Sequence, residues 1–138
     1  MTIHFTKQAS AFISALAALQ PPPDSIWLIG SRANGRATQE SDTDLIVFGS
    51  KALLDIIRSQ LKQPEEVDCL VVFNGDDYQD PWQEKTGSLT KLQWLKLDAS
   101  SARYVGAKWV PDEESSLECG ADMGNFLHRQ ERAIRLWP

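Results

Sequence analysis

Three short apolar runs most constrain what this chain can fold into: "SIWLIG" at 25–30, "DLIVF" at 44–48 and "VDCLVVF" at 67–73. Each is too short for a self-sufficient helix, is rich in β-branched or aromatic residues, and is followed by a glycine-containing turn. That is the pattern of a buried strand. The second and third runs are separated by Lys51–Leu61, which sets Leu53, Leu54, Ile57 and Leu61 on one helical face before Pro64. Upstream, Phe5, Ala9, Phe12, Ile13, Leu16 and Leu19 recur at helical spacing through 6–20, with Thr6 as N-cap and the prolines at 21–23 as the stop. "SRANGRA" after Gly30 reads as a helical turn. Helix, strand, helical turn, strand, helix, strand within 73 residues predicts an α+β (α/β-like) fold, a small mixed central sheet flanked by helices.

Beyond Phe73 the pattern weakens. Residues 74–91 are polar and turn-rich, "KLQWLKLD" and "ARYVGAKWVP" read as a strand pair, and "PDEESSLECG" as an acidic loop. In the tail "ADMGNFLHRQERAIRLWP", Met123, Phe126, Leu127, Ile134 and Leu136 fall near helical spacing. Arg129, Arg132 and Arg135 would then share a solvated stripe. Trp82, Trp94, Tyr104 and Trp109 are expected to pack in the core and on the sheet rather than stack on bases. His4 and His128 are isolated from other ligand-type residues.

At 138 residues the chain is expected to be one domain, 1–138, with a core of its own. A net charge of -5 argues against tight nucleic-acid binding through phosphate neutralisation, and suits a cationic substrate, a basic partner or metal-binding carboxylates. Cys69 sits in an apolar run as a buried thiol, and with Cys119 makes neither a zinc site nor a disulfide framework. With no signal-peptide pattern and no apolar run of membrane-spanning length, the expected location is cytoplasmic, with no membrane partner.

The chemistry concentrates between the first two runs. Asp42 and Asp44 are two residues apart at the mouth of a strand, so their carboxylates point to one face. Converging charges there are costly unless a cation compensates them, and hard oxygen ligands suit Mg²⁺ with substrate phosphates and water. Asp68 opens the third run. If the second and third strands pair, it joins the other two, and three convergent aspartates can hold two Mg²⁺ ions for in-line displacement at phosphorus. Gly30-Ser31, after the first strand, lets the backbone approach a phosphate, and the Ser31 hydroxyl can donate to it. Arg32 and Arg36, four apart, are candidates to grip the same triphosphate.

"GSRANGRATQESDTDLIV" at 30–47, followed by an aspartate on the next strand, resembles the signature of the DNA polymerase beta-like nucleotidyltransferases. It is closest to the "GSRARGxxxxxSDxDLxV" of the minimal, antitoxin-type members. Asn34 stands where small members often carry an arginine, and Thr43 replaces an apolar residue; neither removes a ligand. The resemblance implies Gly30 and Ser31 as triphosphate binders and Asp42, Asp44 and Asp68 as metal ligands, Asp68 also serving as base. It implies Mg²⁺, ATP or another NTP as donor, and transfer of NMP, most simply AMP, to an acceptor hydroxyl. A tyrosine of a small helical (HEPN-type) toxin protein fits the minimal members. Residues 74–120 have no counterpart in it and are expected to be an elaboration. Two rival readings remain: transfer to a small cationic molecule such as an aminoglycoside, and a non-catalytic binding module that keeps the fold.

Overall fold

The computed structural model describes residues 3–111 and 124–138. Helix α1 (Lys7–Ala17) starts at Thr6, whose Oγ1 accepts the Ala9 N–H at 3.1 Å. It buries Ala9, Phe12 and Leu16. Strand β1 (Ser25–Ile29) leads through a 3₁₀ turn at Ser31–Ala33 and a polar loop into β2 (Thr43–Phe48). Helix α2 (Ala52–Gln60) then crosses to β3 (Val67–Phe73) and buries Leu53, Leu54 and Ile57. This is the order read from the apolar runs.

β1 and β2 pair antiparallel, with Ile29 opposite Asp44. β2 and β3 pair parallel, with Asp44 opposite Asp68. A parallel pair needs a crossover connection, and α2 supplies it. Along β1–β3 the side chains alternate between two buried faces. Ile26, Leu28, Leu45, Val47, Cys69 and Val71 meet both helices on one face, so the helices cover a single side of the sheet. Trp27, Ile46 and Val72 occupy the other. Burial pushes the Cys69 thiol well above its usual range, as expected of an inert core cysteine.

The sheet is larger than the sequence suggested. The polar stretch after Phe73 adds β4 (Asp77–Gln79) and β5 (Thr86–Ser88), and β6 (Leu95–Lys96) pairs with β7 (Ser101–Pro111). The tail is a strand, not a helix: β8 (Gly124–Trp137) lies between β1 and β7. The eight strands run in the order β5-β4-β3-β2-β1-β8-β7-β6. The helical spacing of residues in β8 has a physical cause. Ala133 packs in the aromatic-side core while Ile134 and Leu136 pack against the helix-side core, so the strand is apolar on both faces. A strand of that kind loses the period of two, and the residue spacing then fits a helix by accident. In a strand Arg132 faces away from Arg129 and Arg135, which dissolves the arginine stripe.

The face away from the helices is covered by the segment between β5 and β7. Trp94 meets Trp27 edge-on at 5.5 Å between ring centroids, leans on Phe48 at 5.8 Å and stacks on Tyr104 at 6.2 Å. Trp82 instead tilts against Phe12 at 5.7 Å beside α1. These three aromatic residues pack as expected. The segment 112–123, with Cys119 and Met123, and the side chain of Trp109 lie outside the described residues. Among the described residues no helix is long and apolar enough to cross a membrane.

Candidate active site

Gly30, Ser31, Asp42 and Asp44 line one open cleft of about 740 Å³, bounded on its far side by Tyr104 and Glu131. Its base is the end of β1 and the start of β2. At Gly30 the chain turns with φ 75° and ψ -156°, a conformation open essentially to glycine alone. A side chain there would also collide with the Asp44 carboxylate. Glycine therefore serves two ends: it makes the turn, and it lets Asp44 sit against the main chain that bears Ser31.

Asp44 and Asp68 face each other across the parallel β2–β3 pair, so their side chains share the face opposite the helices. Asp42 lies two residues before Asp44 and is exposed at the rim. Burial, then the Asp68 charge and a shared hydrogen bond with it, then the Asp42 charge, push the Asp44 carboxyl from 3.8 up to about 6; Lys85 works weakly against them. A like-charge pair that costs this much alone is chemically suited to a hard divalent cation. Among the described residues no three acidic, histidine or cysteine side chains converge closely enough to enclose an ion. The structure thus brings Asp44 and Asp68 together and leaves Asp42 within electrostatic reach of them, a looser grouping than three convergent ligands.

The two arginines part company. Arg36 lines the cleft and pairs with Glu131 at 2.7 Å. Arg32 turns inward: it is 8% exposed, and its guanidinium donates to the His4 carbonyl at 2.9 Å and the Ser41 carbonyl at 2.7 Å. It ties the start of α1 to the end of the 31–41 loop and lies outside the cleft. Spacing of four put both arginines on one helical face, but the helix lasts only three residues, so that argument lapses after Ala33.

Three residues to which the sequence assigns no part in the site support the cleft: Tyr104 and Glu131 line it, and Asn34 braces the Gly30 turn. Tyr104, on β7, accepts the Gly30 N–H on its hydroxyl at 2.8 Å. Asn34 donates to the Gly30 carbonyl at 2.7 Å and to the Arg132 carbonyl at 3.0 Å, and its own carbonyl accepts the Arg132 N–H at 2.7 Å. Glu131, opposite Tyr104 on β8, anchors Arg36, and its side chain is only 10% exposed. The departure noted at Asn34 has a purpose here, since a short amide can dock on a strand backbone in both directions. Only a strand reading of the tail would have revealed Glu131, because alternation then places it beside Tyr104 on the cleft face.

No curated protein and no solved structure matches the chain. A family model described as "Nucleotidyltransferase domain" matches residues 9–119, well over half of the 138, and runs through the segment for which the sequence resemblance offered no counterpart. The chain belongs to the nucleotidyltransferase domain family of the polymerase beta-like superfamily, a family of transferases.

Proposed function

We propose that this nucleotidyltransferase is Mg²⁺-dependent and moves an NMP unit, AMP most simply, from an NTP to an acceptor hydroxyl. The observation that carries the reading is the register of β2 and β3, which sets Asp44 against Asp68 in reach of the Gly30-Ser31 turn. In the reaction the acceptor oxygen forms a bond to the α-phosphorus. The bond to the bridging oxygen breaks, and pyrophosphate leaves with its electron pair. Asp68, exposed on the strand end, accepts the proton of the acceptor hydroxyl. Ser31 Oγ donates to a phosphate oxygen, and Arg36 supplies positive charge beside it. Asp42, Asp44 and Asp68 would hold Mg²⁺, which when bound neutralises phosphate charge and stabilises the entering and leaving oxygens.

The acceptor proposed is a tyrosine hydroxyl on a small helical (HEPN-type) toxin protein, a reading supported by the likeness of residues 30–47 to the minimal family members. Incubation with labelled ATP, Mg²⁺ and such a partner should release pyrophosphate and label the partner. Release no greater than that of an Asp42→Ala/Asp44→Ala double variant would refute transfer. Release with other acceptors but no label on the partner would refute only the acceptor.

A further inference from the structure

We propose that Tyr104 is a positioning residue for the phosphate turn, holding Gly30 in place through its hydroxyl so that Ser31 meets the triphosphate already oriented. The proposal rests on the nucleotide-binding reading of the same cleft. Its ground is geometric. Gly30 occupies backbone space that almost no other residue adopts, and a glycine, free to leave it for many other conformations, stays there only when its surroundings fix it. The Asp44 carboxylate closes off one side of Gly30. On its amide the Tyr104 hydroxyl makes the 2.8 Å bond, across 74 residues of sequence.

Tyr104 is itself immobilised. It is 5% exposed, its ring stacks on Trp94, and its neighbour across the β7–β8 pair is Glu131. A side chain locked by packing can hold a backbone group to a fixed position, which is what preorganisation of a binding turn demands. The contact has a further consequence. With its N–H donated to Tyr104, Gly30 has no amide proton left for a phosphate oxygen, so the grip on phosphate falls to Ser31 and its neighbours. The tyrosine comes from β7, outside the 30–73 unit that carries the aspartates. The late strands are therefore part of the working site.

The test is Tyr104→Phe in the full chain, which keeps the ring and its stacking and removes only the hydroxyl. Three quantities are read: Mg²⁺-ATP affinity by calorimetry, the KM and kcat of pyrophosphate release, and hydrogen exchange at the Gly30 amide by NMR. Losing one hydrogen bond to a part-buried amide corresponds to about tenfold weaker nucleotide binding and a KM raised by a similar factor. Turnover at saturation should stay within about twofold, because bound nucleotide can still order the turn. Gly30 exchange should quicken while amides in β2 and β3 keep their protection, which a general loss of structure would not produce. Equal or tighter nucleotide binding by Tyr104→Phe, beside normal binding by the wild type, would overturn the inference. A wild type that binds no nucleotide would overturn the functional reading and this inference with it.

Discussion

Replacing Asp44 with asparagine should make the metal-free protein more stable and destroy its function. The Asp44 carboxyl is pushed from 3.8 up to about 6 by burial, by Asp68 and by Asp42. Because the folded-state value is raised, the native state binds the proton more tightly than the unfolded chain does. The contribution of Asp44 to stability is therefore most favourable below pH 4, falls as pH rises through the window from 4 to 6, and carries the full penalty above it. A difference of about two units at 1.36 kcal/mol each gives about 3 kcal/mol, an order-of-magnitude figure for the cost of an ionised Asp44 without a cation. Asparagine has nearly the same shape, cannot ionise, and can donate to Asp68. Thermal unfolding followed by tryptophan fluorescence should place the Asp44→Asn midpoint about 5–10 °C above wild type at pH 8, with the gap closing towards pH 4. Millimolar Mg²⁺ should raise the wild-type midpoint at pH 8 and leave that of the variant unmoved. A variant less stable than wild type at pH 8, or a gap independent of pH, would refute the electrostatic argument.

Two further substitutions separate scaffold from site. Arg32→Ala should lower stability by about 2–3 kcal/mol in urea denaturation, since it orphans the His4 and Ser41 carbonyls, and Arg32→Lys should restore little because an ammonium cannot span both. Gly30→Ala should cost about 2 kcal/mol or more and abolish nucleotide binding by calorimetry, because the added Cβ meets both backbone strain and the Asp44 carboxylate.

What could be read from residues alone followed from local rules. Thr6 as N-cap, the helical face of Leu53, Leu54 and Ile57, and the run Val67–Phe73 depend on neighbours a few positions away, and the structure shows each of them. The facing of Asp44 and Asp68 needed one non-local assumption, that the second and third runs pair, and the parallel register supplies it. The rest depended on partners far along the chain. Tyr104 reaches Gly30 and Asn34 reaches Arg132 only once β8 has joined β1 to β7; nothing local shows which backbone group the tyrosine hydroxyl meets, or sets Asn34 apart from a surface amide. Arg32 shows the opposite error: its type and spacing suggested a ligand contact, whereas carbonyls at both ends of the loop had a prior claim on its donors.

The position of β8 also governs the order in which the molecule can be assembled. Residues 124–137 fill the slot between β1 and β7, so the sheet remains in two pieces until they arrive. Pairings that close loops of about a hundred residues, such as Asn34 with Arg132, are entropically late events in folding. Until then β1 offers an open edge beside a Gly30 turn that nothing yet holds, a template for wrong pairing with another chain. The aspartate pair on β2 and β3 can form early; the wall that holds the Gly30 turn cannot. The cleft is thus completed by the last strand to dock, and a partly made molecule keeps its charged pair without an ordered cleft beside it.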